Sequence, residues 1–174
     1  MALKTSTTRR SFLKVGVIGA VTLASAGGIY RLMRPVSLPE KFTLDGEAAL
    51  ALSSIIAVVL QGAAPANRKT VTQATDRVLA AIAGLPLTTQ KEIQDLFALL
   101  SFGVTRRLLT GVPAQWQDAK PNDVAAFLQS WRTHRLALLK SAYAALHDLI
   151  LGSWYADETT WASIGYPGPI QVLR

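Results

Sequence analysis

The sequence contains no cysteine and only two histidines, His134 and His147. The first absence removes a disulfide framework, a thiolate nucleophile, a cysteine-ligated iron–sulfur cluster and a C-x-x-C-H haem attachment together. The second argues against a histidine-rich metal site within one chain. The two histidines are 13 residues apart, so neither helical spacing of three nor of four brings them together. Acids are sparse as well: Asp118, Asp123, Asp148, Asp157 and Glu158 are scattered, and no pair is set out as a general acid and base. Several of them are placed to cap helices instead. There is no G-x-G-x-x-G after a strand, no phosphate loop and no G-x-S-x-G nucleophile elbow. No catalytic residue and no metal or cofactor site is therefore expected in this chain.

What is present is apolar. Half of the 174 residues are hydrophobic and 17% are charged, a balance that excludes intrinsic disorder for the chain as a whole. The length fits one domain with a core that needs no covalent staples. The formal net charge of +7 is unevenly placed. Lys4, Arg9, Arg10 and Lys14 fall in the first 26 residues, where there is no acid, leaving 14 basic against 11 acidic residues elsewhere. No basic run is interleaved with aromatics, so nucleic acid is not an expected partner.

The amino terminus has the three parts of an export signal. Residues Thr8 to Lys14 form a basic region, Val15 to Ala24 a modest apolar run, and Ala24 with Ala26 an A-x-A cleavage cue. Arg9 and Arg10 followed by Phe12, Leu13 and Lys14 resemble the twin-arginine (Tat) consensus, an address read by the Tat translocase. From Val15 to Tyr30 is 16 residues, shorter than the ~20 a spanning helix needs, and Gly27 and Gly28 interrupt it. Cleavage after Ala26 is expected. The alternative is retention as a short anchor, with Arg31 and Arg34 reaching the interface. The expected organisation is a signal peptide over 1–26, a linker over 27–44 broken by Pro35 and Pro39, and a helical domain over 45–174.

The domain is expected to be an all-α bundle of about four to six helices, since no stretch alternates with period two for long. The run from Gly46 to Gln61 is apolar nearly all round, which predicts a central helix with Asp45 as its cap. After a loop from Gly62 to Asn67, Val71, Ala74, Val78, Leu79 and Ile82 recur at helical spacing until Gly84. Thr89 and Glu92 have the spacing of a capping box, followed by a stripe of Ile93, Leu96, Phe97 and Leu100. Gly103 either kinks or ends that helix, with a continuation over Val104 to Thr110. From Asn122 onward, Val124, Phe127, Leu128 and Trp131 share one face, then Leu139, Tyr143, Leu146 and Ile150. This is one long helix or two joined near Thr133 and His134. Asp157 is placed to cap a short helix through Trp161 that Gly165 ends. Pro167 and Pro169 make the following segment extended or turning.

Two features suit recognition as well as packing. Arg106 and Arg107, and Trp131, Arg132 and Arg135, either form a solvated face or meet acidic groups on a partner. Four of the eight Trp and Tyr residues fall between Trp154 and Tyr166. Trp154, Tyr155 and Trp161 either cover one end of the bundle or present a docking site, at roughly 150–250 Å² buried per ring.

Several of these residues carry a resemblance. The segment Thr8 to Lys14, the step Trp131-Arg132-Thr133, the pair Ala142-Tyr143 and above all WASIGYPGP from Trp161 to Pro169 resemble the small subunit of gluconate 2-dehydrogenase. That family comprises non-catalytic subunits of membrane-associated glucose–methanol–choline (GMC) flavin dehydrogenases. The resemblance implies a helper that carries the export signal for a flavoprotein catalytic subunit and supports it in the periplasm, at the inner-membrane face. FAD would lie in that partner and not in this chain, and a cytochrome c subunit would take the electrons. Interface candidates are Trp131, Arg132, Trp154, Tyr155, Trp161, Gly165, Tyr166, Pro167, Gly168 and Pro169. The alternative is a stand-alone Tat-exported periplasmic or membrane-surface binding protein.

Overall fold

The computed structural model describes residues 42–44, 46–65 and 67–168. The signal segment with Arg9, Arg10, Phe12, Leu13, Lys14, Ala24 and Ala26, the proposed cap Asp45, and Pro169 lie outside the described residues.

Within them the architecture is all-α. Six α-helices, α1 (Gly46–Val59), α2 (Arg68–Ala83), α3 (Leu87–Ser101), α4 (Gly103–Thr110), α5 (Pro121–Arg132) and α6 (Ala137–Tyr155), are accompanied by two 3₁₀ segments, Trp116–Asp118 between α4 and α5 and Glu158–Ile164 after α6. No strand occurs among the described residues. Helix α1 occupies the centre, touching α2, α3, α5, α6 and the first 3₁₀ turn. Its composition dictates this: Ala51, Leu52, Ile55 and Ile56 are fully buried, and such a broad apolar face has no stable place at a surface. Phe42 is also buried and Leu44 packs on the core, so the body begins earlier than residue 45, inside the expected linker.

Helix α2 matches its periodicity, with Ala74, Val78 and Ile82 buried. Asn67 caps it, its side-chain oxygen accepting the Thr70 backbone N–H at 2.8 Å. Helix α3 starts earlier than the capping box required. Its first turn opens after Pro86, and the Gln90 N–H already donates to the Pro86 carbonyl at 3.0 Å. Thr89 is therefore inside the helix and no side chain caps it. The Gln90 amide closes the α2–α3 turn instead, donating to the carbonyls of Ala83 and Leu85 at 3.1 and 2.8 Å.

The break between α3 and α4 falls at Phe102, whose backbone is extended, and Gly103 opens the new helix. The Thr105 hydroxyl holds the corner by donating to the carbonyls of Phe102 and Leu99. Between α5 and α6 the chain leaves the helix at Thr133, which makes them two helices. His134 stabilises that turn, its Nδ1 accepting the Leu136 N–H at 3.1 Å.

The aromatic centre of the core includes a residue that periodicity did not reveal. Trp116, in the short 3₁₀ turn, is fully buried and donates its indole N–H to the Leu100 carbonyl at 2.8 Å. Phe127 packs edge-on to both Trp116 and Trp131, with centroid distances of 6.2 and 4.9 Å. These edge-to-face contacts place the positive ring rim against the negative face of the neighbour.

Candidate interaction surface

Arg106 is not on a solvated face. It is 5% exposed, and its Nη1 lies 3.2 Å from Glu47 Oε2 in the first turn of α1. The same carboxylate oxygen accepts the Trp116 backbone N–H at 3.2 Å, so one acid organises two elements. Thr110, also buried, donates to the Arg106 carbonyl at 2.7 Å and accepts the Val112 N–H at 3.1 Å. The guanidinium is satisfied in part: Nη1 meets the Glu47 carboxylate, while the buried Nε has no hydrogen-bond partner among the described residues. Arg107 is exposed and donates through Nε to the Pro113 carbonyl.

The expectation that Trp131 and Trp154 face a partner is corrected by their burial. Trp131 is 1% exposed, with its indole N–H donating to the Leu109 carbonyl at 2.8 Å. Trp154 is buried beneath Arg77, whose guanidinium carbon sits 4.9 Å above the ring. Its indole N–H finds no acceptor among the described residues. Periodicity had already set Trp131 on the face of Val124, Phe127 and Leu128, and packing won.

The segment after α6 folds as its turn chemistry predicts. Asp157 caps the second 3₁₀ segment, its side chain accepting the Thr159 N–H at 2.8 Å and the Thr159 hydroxyl at 2.6 Å. Arg77 pairs with its other carboxylate oxygen, bridging 80 residues of chain. The hydrogen bonds from Thr159, joined by the Arg77 guanidinium, hold the Asp157 carboxyl below its ordinary value. Trp161 is half-buried and donates its indole N–H to the Tyr155 carbonyl at 2.8 Å. Gly165 then reverses the chain at a φ of +70°, a left-handed conformation that a side chain resists. The reversal brings Tyr166 edge-on to Trp161, with centroids 5.2 Å apart. Gly168 lies against the same indole so closely that an added Cβ would stand 3.3 Å from it.

The result is a small knob: Trp161 fastened from below by Tyr155, clasped by Gly165 to Gly168, with Tyr166 and Pro167 outermost and exposed. Of the expected interface residues, Trp161, Gly165, Tyr166, Pro167 and Gly168 are brought together here, and Tyr155 lies half-buried at the base. Arg132 is exposed in the last turn of α5. His147 stacks on Tyr143 at 5.5 Å and lies 3.5 Å from Asp148, while His134 holds its turn. Among the described residues no group of three or more His, Asp or Glu side chains is placed to hold a metal ion.

Sequence reasoning missed Glu47 and Arg77, the two charged residues that fix the ends of this arrangement. A single charge in a helix gives no local sign of a partner 59 or 80 residues away. Against family models, curated proteins and solved structures, the chain finds no match.

Proposed function

We propose that the chain is a non-catalytic accessory subunit that escorts a folded flavin-dependent dehydrogenase of the GMC type through the Tat translocase and steadies it in the periplasm. The observation that carries this reading is the Thr8 to Lys14 segment, with Arg9 and Arg10 in register with Phe12, Leu13 and Lys14. A Tat route serves cargo that folds before export, and an escort lends such a signal to a partner that folds around its flavin. The knob supports the same reading. Its Gly and Pro backbone is already fixed by Trp161, so docking it against another protein orders little that was free. Tyr166 supplies a rigid aromatic with a polar tip, a residue type enriched at binding hot spots. The interface proposed here is Trp161 and Gly165 to Gly168, with the flavin held entirely by the partner.

The test is export of a second protein. Replacing Arg9 and Arg10 by lysine is expected to strand both this chain and a flavoprotein in the cytoplasm, read as flavin absorbance co-purifying from each compartment. Tyr166→Ala is expected to leave export of this chain intact and release the flavoprotein from it. A flavoprotein that reaches the periplasm in normal amounts beside the double lysine variant refutes the escort.

A further inference from the structure

Helix α4 is built inside out. Arg106 and Thr110 point into the protein and are buried, whereas Val104 and Leu108, one turn apart on the opposite side, are 69% and 83% exposed. Phe102 at the preceding corner is 66% exposed. A second corner presents Leu136 and Leu138, at 56% and 79%. The two belong to one end of the molecule, because the Trp131 indole donates to the Leu109 carbonyl and so ties the last turn of α4 to the last turn of α5. Leu108 adjoins the acceptor, and Leu136 follows the donor by five residues.

Along the chain segments that carry these side chains the charge has one sign. No acid occurs from Leu96 to Gln117 or from Val124 to His147. The exposed ions in these two stretches are Arg107, Arg132, Arg135 and Lys140. None of the four meets a carboxylate among the described residues.

We infer that this end of the molecule is a membrane-docking face that seats on a bilayer surface carrying anionic headgroups. Exposed aliphatic side chains interspersed with unpaired cations are the composition of an interfacial contact, in which the apolar tips enter the headgroup–acyl boundary and the cations meet phosphate. The arginines alone would suit a protein partner equally, but the aliphatic side chains set the choice, since leucine and valine are under-represented at protein hot spots. Among the described residues no helix is long and apolar enough to cross a membrane, and the contact proposed is peripheral. It is independent of the escort reading and needs no flavoprotein.

The experiment is co-sedimentation of the full chain with phosphatidylcholine vesicles containing or lacking one quarter phosphatidylglycerol. Binding is expected to require the anionic lipid and to weaken with salt. Replacing Arg132 and Arg135 by glutamine should reduce it by roughly fivefold per residue, the equivalent of ~1 kcal/mol each. Leu108→Asp with Leu138→Asp should abolish it while circular dichroism stays helical, and Leu87→Asp, an exposed leucine at the far end of α3, should leave it unchanged. Three results overturn the proposal: equal binding to neutral vesicles, binding unaffected by the Leu108/Leu138 pair, or concentration-dependent dimers that those substitutions dissolve without any vesicle binding.

Discussion

The contact between Glu47 and Arg106 gives the sharpest test of how this fold is held. The Arg106 side chain is 6% exposed and that of Glu47 30%, so the pair is buried on one side and reached by water on the other. Glu47→Ala leaves a guanidinium inside the protein with its carboxylate gone, and deprives the Trp116 N–H of its acceptor. Breaking a fully buried pair costs about 3–5 kcal/mol. The partial access of water on the Glu47 side lowers that here, and a loss of about 2–4 kcal/mol is expected after the Trp116 amide is included. Against a total stability of roughly 5–15 kcal/mol this is a large fraction, visible as a melting point lower by roughly 5–15 °C. Urea unfolding followed by circular dichroism measures it, with an unchanged slope required for a clean comparison. The double variant Glu47→Leu with Arg106→Met removes both charges and keeps apolar volume. It should be at least about 1 kcal/mol more stable than Glu47→Ala alone, because no uncompensated charge is left inside. A Glu47→Ala variant that unfolds within about 0.5 kcal/mol of the parent, or effects of the two sites that simply add, would show that the pair is not coupled in this way.

Two further outcomes follow from the core and from the cap. Phe127→Ala removes the ring between Trp116 and Trp131 and should cost about 3–5 kcal/mol by urea denaturation, with a loss under about 2 kcal/mol arguing that the site collapses. Asp157 has a folded value depressed below the 3.8 of a free side chain, so its contribution is present at neutral pH and is lost as pH falls through the folded value. The gap in unfolding midpoint between the parent and Asp157→Ala should therefore hold constant down to about pH 4 and narrow below it, and a gap that widens in acid would contradict the assignment.

The elements were largely legible because apolar spacing and turn residues are local signals. The face of Val124, Phe127, Leu128 and Trp131, the stripe of Phe97 and Leu100, and the cap at Asp157 all appear where the sequence places them. The start of α3 was not, because the helix opens directly after Pro86 and Thr89 falls inside its first turn. Trp116 escaped because a three-residue turn has no periodicity to read. The interface candidates divided along the same line. Trp161, Tyr166 and Gly168 are joined by contacts within eight residues, whereas the burial of Arg106, Trp131 and Trp154 depends on Glu47, Leu109 and Arg77 far away in the chain.

Helix α4 reverses the usual map from hydropathy to tolerance. Random substitution read out by folding alone should spare position 108 and punish position 106, so leucine would pass for a bystander and arginine for a keystone. Selection for whatever meets that surface would rank them the other way only in part, since the arginine must first fasten the helix before the leucine can be shown. A survey of variants scored by abundance would thus overlook the outward residues entirely, and they would emerge only when the readout is location.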